Sequence, residues 1–157
     1  MNRRIFATAL LFAAGTLVAA DKPNFTGEWK LNIEKSTFGP MPPPVSQVMK
    51  IDHSDPKMVS TSDQESNDGQ KMSIVMKYTT DGVEAMNDLR GSPAKVVAKW
   101  EGEALVVNTK LDFQGMEIKI VNTMKLAADG KSITAVAKIE TPQGEFESTS
   151  LLEKIQK

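Results

Sequence analysis

The chain of 157 residues has very little with which to do covalent chemistry: one histidine, no cysteine, and a single arginine, Arg90, once Arg3 and Arg4 are set aside. His53 alone cannot build a metal cluster. As a general base it would need a group to orient it, so a hydrogen-bonded structural role is the expectation. No Gly-x-Ser-x-Gly, phosphate-binding loop or metal-ligand spacing occurs, and no catalytic residue, metal or cofactor is expected. Arg90, in Arg90-Gly91-Ser92-Pro93, would anchor an anionic head group from a loop, although a solvated Arg beside Asp88 is the expectation. What remains is non-covalent. Gln47, Tyr78, Thr109, Asn122, Ser148 and Ser150 fall inside otherwise apolar alternating runs. A few polar groups in an apolar lining are the usual make-up of a small-molecule pocket.

Those residues need strands to point them one way. In Phe25-Thr26-Gly27-Glu28-Trp29-Lys30-Leu31-Asn32-Ile33, period two places Phe25, Gly27, Trp29, Leu31 and Ile33 on one face and the polar residues on the other. An indole thus faces inward at the start of the fold, and Gly27 leaves space where backbone or the ring comes close. Residues 34–44 hold four prolines and a glycine and read as an extended connector over one end of the fold. The same alternation governs Val45–His53, the polar run Met58–Ser66, Met72–Tyr78, Ala94–Trp100, Leu105–Phe113, Met116–Leu126, Ile133–Ile139 and Phe146–Leu152; residues 83–93 read as a short strand and a loop.

Turn glycines at 69, 82, 91, 102, 115, 130 and 144 leave no room for a crossover helix. The predicted fold is all-β: a single antiparallel up-and-down β-barrel of about 8–10 strands, preferred over a sandwich because no Greek-key return is visible and closure removes the sheet edges.

Ahead of that domain, Arg3 and Arg4, an apolar run from Ile5 to Val18 and small residues through Ala20 have the anatomy of a secretory signal peptide. The expected division is a leader at 1–20 and a barrel domain at 21–157, periplasmic or secreted. Taking Arg3 and Arg4 from the 19 basic residues leaves 17 against 20 acidic, interspersed along the chain. That balance directs it neither to nucleic acid nor to an anionic membrane. An exported chain without cysteine is held by its core and hydrogen bonds. With seven aromatics left after the leader, the two girdles of a membrane barrel are missing, and no membrane span is expected.

Gly27-x-Trp29 on a first strand behind a leader, followed by an antiparallel meander, resembles the lipocalins and the wider calycin barrels. The phrase Phe25 to Asn32, running on to Lys35-Ser36 and Phe38-Gly39-Pro40, is similar to small exported bacterial lipocalin-like proteins. That resemblance implies a tryptophan capping the closed end of the barrel beneath an arginine of the last strand. This chain departs from the pattern, since Lys154 must cover Trp29 instead, a weaker cation–π partner. Fatty-acid-binding relatives carry two helices after the first strand and an arginine–tyrosine carboxylate site; a proline-rich crossing stands here instead.

The inward face carries small residues, Ala98, Ala135, Ala137, Ser148 and Ser150, gathered on three late strands. Trp100, Met49, Met76 and Phe113 either reach across to fill the space they leave, or a cavity remains. The expected site is Gln47, Met49, Met76, Tyr78, Trp100, Thr109, Asn122, Ala137, Ser148 and Ser150, binding a small apolar or amphipathic ligand, with Gly27, Trp29 and Lys154 structural. The alternative is a packed barrel acting through its outside as an interaction module of the cell envelope. There Val48, Val59, Val75, Val97, Val106, Val121, Val136 and Leu151 would form a dimer or partner stripe if they align.

Overall fold

The computed structural model describes residues 21–156; the expected leader lies outside them. Ten strands follow one another: β1 (Gly27–Thr37), β2 (Ser46–Ser54), β3 (Lys57–Glu65), β4 (Lys71–Thr79), β5 (Ala85–Leu89), β6 (Ser92–Glu101), β7 (Ala104–Phe113), β8 (Met116–Leu126), β9 (Ser132–Thr141) and β10 (Gly144–Lys154). They form one sheet in the order β4-β3-β2-β1-β10-β9-β8-β7-β6-β5, antiparallel throughout. Chain neighbours are sheet neighbours, as short turns require, and the pairing of β1 with β10 brings the two ends of the meander together. The register keeps each alternating set on one side: Trp29 lies opposite Met49 and Lys154, Asn122 opposite Val107 and Ala137, and Ala137 opposite Ser148.

Three expectations need correction. β1 does not stop at Ile33 but runs to Thr37, so the connector is 38–45 rather than 34–44. The strand continues through a bulge: its register against β10 moves from Asn32↔Leu151 to Thr37↔Thr149. Inside the bulge, side chains replace ladder bonds. Lys35 N donates to Asn32 Oδ1 at 3.0 Å, Ser36 Oγ donates to the Asn32 carbonyl at 2.6 Å, and Leu151 N donates to Ser36 Oγ at 3.0 Å. A bulge of this kind bends the strand while keeping buried backbone groups paired.

The second correction concerns closure. No ladder joins β4 to β5, so one seam interrupts the barrel wall. Asn87 spans it: its Oδ1 accepts from Lys77 N at 2.8 Å and its Nδ2 donates to the Lys77 carbonyl at 3.0 Å. One carboxamide thus supplies both bonds that a neighbouring peptide would have made. Below it, Gly82 N donates to the Ala98 carbonyl at 2.8 Å beside an isolated bridge between Asp81 and Lys99.

The third is Arg90, which is not paired with Asp88. Asp88 Oδ1 instead accepts from Gly91 N at 2.6 Å, fastening the β5–β6 turn, where Arg90 and Gly91 both have positive φ (61° and 83°). The Arg90 guanidinium crosses the seam toward β4 and lies 3.4 Å from Met72 Sδ.

The two ends of the barrel differ. Residues 21–26 and the turns after β2, β4, β6 and β8 lie at one end; the proline-rich crossing and the turns after β3, β5, β7 and β9 lie at the other. The largest fully buried side chains, among them Trp29, Phe25, Met58, Leu105, Ile133 and Leu152, concentrate toward the first end. Toward the second, inward-facing Ile33, Gln47, Ile74, Ile118 and Ile120 are only half-buried. The bulkiest buried side chains thus gather as a plug in one half of the cylinder, while beyond them Ala94 and Val96 of β6 are fully buried and Thr109 and Ser148 are buried as well.

Candidate functional site: a floored lumen

The floor of the barrel is built by the segment that precedes β1. Phe25 is fully buried and its ring stacks on Trp100, centroids 5.9 Å apart and planes 12° from parallel. Phe25 N donates to His53 Nδ1 at 3.2 Å, which leaves the His53 proton on Nε2, 3.4 Å from Asp55 Oδ1. The same carboxylate oxygen accepts from Thr80 Oγ1 at 2.6 Å and Trp100 Nε1 at 3.1 Å. These bonds, that from Thr80 foremost, hold the Asp55 carboxyl below its ordinary value against the opposing effect of desolvation. His53 is 4 % exposed and both its nitrogens are occupied. Thr80 turns its hydroxyl to Asp55 rather than to the imidazole, so the arrangement ties three loops together and presents no activated nucleophile.

Trp29 completes the floor. It is fully buried, donates from Nε1 to the Phe25 carbonyl at 3.0 Å, and carries Lys154 Nζ 5.2 Å from its ring centroid. A Cβ on Gly27, at φ 153°, would lie 3.0 Å from Lys154 Cε and 3.4 Å from Trp29 Nε1. Backbone torsion calls for glycine there, and a larger residue would also push the exposed Lys154 stem off the indole.

Above this floor the residues expected to bind ligand separate into two groups. Tyr78 and Trp100 belong to the floor. Tyr78 is buried with its hydroxyl 3.0 Å from Met58 Sδ, and burial pushes its phenol far above the ordinary value. Phe113 does not fill the interior either, being 43 % exposed at the far end. Gln47, Met49, Met76, Thr109, Asn122, Ala137, Ser148 and Ser150 all face inward at levels above or beside the plug. Met49 and Ile120 each have a hydrogen-bonded strand on both sides yet are not fully buried. Partial exposure of inward-facing side chains between paired strands is what an incompletely filled interior gives.

Sequence reading left out the polar lining of β3. Ser60, Ser62 and Gln64 face inward opposite Ile51, Met49 and Gln47, and Gln47 Nε2 donates to Ser62 Oγ at 2.9 Å. Period two counted from Met58 contains all three; the polarity of the run hid them. None of the outer valines lies directly opposite another across the ladders. Across the ladders Val48 borders Lys30 and Asp63, Val59 borders Asp52 and Lys77, and Val121 borders Asn108 and Lys138. Among the described residues no group of three or more His, Asp or Glu side chains is placed to hold a metal ion.

No protein-family model matches the chain, and no curated protein matches it. Its likeness is to solved structures. Zebrafish ileal bile acid-binding protein complexed with cholic acid superposes with a TM-score of 0.55 at 15% identity, over 83% of this chain and 98% of that one. An abundant heat soluble (SAHS) protein from Ramazzottius varieornatus gives 0.57 at 12% identity, over 83% and 94%. A point mutant of the REP1-NXSQ fatty acid transporter gives 0.53 at 10% identity, over 83% and 98%. The chain thus has the calycin, lipocalin-like fold, ten antiparallel strands in a barrel closed except for one seam.

Proposed function

We propose that the protein is an exported binding protein, periplasmic or secreted, that holds a small apolar or amphipathic molecule in the upper lumen of the barrel. The observation that carries this reading is the half-exposure of inward-facing Met49 and Ile120 between fully laddered strands, above a floor sealed by Phe25 and Trp29. Structural neighbours named for a bile acid and a fatty acid lend support, and so does the leader-like N-terminus. Met49, Met72 and Met76 line one wall with side chains that adapt to differing ligand shapes.

The test is binding of the neutral fluorophore N-phenylnaphthylamine to the folded protein, repeated with Ala137→Phe. Ala137 sits between Asn122 and Ser148, and a phenyl ring there would occupy the lumen. Saturable binding that Ala137→Phe weakens at least tenfold supports the reading. Absence of binding, together with a higher melting temperature for Ala137→Phe, favours a second reading, an envelope interaction module. That alternative draws on a groove of about 660 Å³ on the outside of the barrel, where Met86, Lys95, Val97, Asn108 and Lys110 meet. Native mass spectrometry of protein taken from its own cell envelope would identify a retained ligand directly.

A further inference from the structure

The lumen wall has a chemical character that narrows what it can hold. Among the described residues, the paired inward-facing positions of all ten strands carry no Asp, Glu or Arg, and their one Lys, Lys154, is committed to Trp29 in the floor. The imidazole of His53 lies in the floor as well, with both nitrogens engaged. Arg90 sits on the β5–β6 turn with its guanidinium beside Met72. A carboxylate drawn to the bottom of this lumen would lose its hydration and meet no cation, a burial that strongly disfavours the ion.

One polar group in the wall is unmatched. Asn122 Oδ1 is buried and has no hydrogen-bond partner. Its side chain projects from β8 between Val107 and Ala137, one step above Met124, which is 4 % exposed and belongs to the plug. Asn122 therefore stands directly above the plug. Buried polar atoms in folded proteins are almost always satisfied, and an exception calls for a missing partner. Ala137 beside it and Ser148 beyond have small side chains that offer the amide no partner. Exchanging the amide oxygen and nitrogen would put an unmet donor in its place, and a hydroxyl can answer either arrangement.

We propose that the lumen selects an uncharged amphipathic molecule bearing a hydroxyl, bound with that hydroxyl at Asn122 near the floor and its apolar chain directed toward the proline-rich end. This rests on the reading of the barrel as a ligand carrier and assigns the class of ligand. The head-down orientation follows from the position of Asn122, at the bottom of a lumen whose upper walls carry Ile33, Ile74, Ile118 and Ile120.

The experiment is displacement of N-phenylnaphthylamine from the full folded protein by decanol and by decanoate at pH 8, in wild type, Asn122→Leu and Asn122→Gln. Decanol is expected to compete at least tenfold better than decanoate. Asn122→Leu is expected to weaken decanol roughly three- to tenfold relative to the fluorophore, whose own affinity is titrated directly in each variant, the span of one net neutral hydrogen bond. Asn122→Gln, which retains the amide, is expected to recover part of that loss. Equal or better competition by decanoate, or an unaltered decanol affinity in Asn122→Leu, overturns the assignment while fluorophore binding leaves the carrier reading standing. Failure of the fluorophore and both competitors to bind overturns the two together.

Discussion

Trp29→Ala tests the floor on which the lumen depends. The indole is fully buried, and truncating a buried Trp to Ala costs about 3–5 kcal/mol through lost transfer energy and the cavity left behind. Two further losses follow from the geometry. The Phe25 carbonyl, 3.0 Å from Nε1, is left without that donor, a loss of about 1 kcal/mol. The contact with Lys154 also disappears, but Lys154 is exposed, so it contributes roughly 0.5 kcal/mol. The expected total is about 4.5–6.5 kcal/mol, a large share of the roughly 5–15 kcal/mol typical of a domain. For a domain of this size it corresponds to a fall in melting temperature of roughly 10–20 °C. Trp29→Phe keeps a ring in the plug and forfeits the Nε1 bond, so it should cost only about 1–2 kcal/mol. Urea denaturation of both variants, followed by far-ultraviolet circular dichroism, separates the contributions. A Trp29→Ala loss below about 1 kcal/mol, or equal losses for the two variants, would refute the assignment of the indole as the floor of the barrel.

Two further outcomes follow from the closed end and the seam. The Asp55 carboxyl is held below its ordinary value in the folded protein, first by Thr80, so its contribution is present above the unfolded value near 3.8 and is lost as pH falls toward the folded one. Asp55→Asn should therefore be less stable than wild type at pH 7, with the difference shrinking by pH 3; a pH-independent difference in urea midpoints contradicts this. Asn87→Ala removes both bonds to Lys77, at an expected cost of about 1–2 kcal/mol, and should speed amide exchange at Lys77 more than at Val59, which lies opposite it on the laddered side. Unaltered protection at Lys77 would show that the carboxamide does not hold the seam.

Much of the architecture was legible before any coordinate, because its determinants are local. Side chains alternate along an extended chain at period two, so the inward sets of β6 through β10 could be read directly, and glycines with positive φ at Gly69, Gly91, Gly102, Gly115 and Gly130 mark hairpin turns that a dozen-residue helix could not span. Placing Lys154 beside Trp29 came from the resemblance to lipocalins, not from periodicity. The sequence ends β1 at Ile33 because the alternation breaks ahead of a stretch with four prolines and a glycine. Only with β10 alongside can the Ser36 hydroxyl accept from Leu151 N and carry the strand four residues further.

Sequence alone thus determined which side chains share a face, that about 8–10 strands follow one another, and that chain neighbours pair. It could not determine height along the barrel axis. Tyr78 and Asn122 both fall on inward faces, yet one is packed in the floor and the other borders open lumen, because strand tilt and the position of each turn set how far a residue lies from the Phe25–Trp29 plug. The Asn87 clip and the Asp55 junction belong to the same category. Each depends on residues between 10 and 45 positions apart in sequence being brought within hydrogen-bond distance, and only the closed sheet does that.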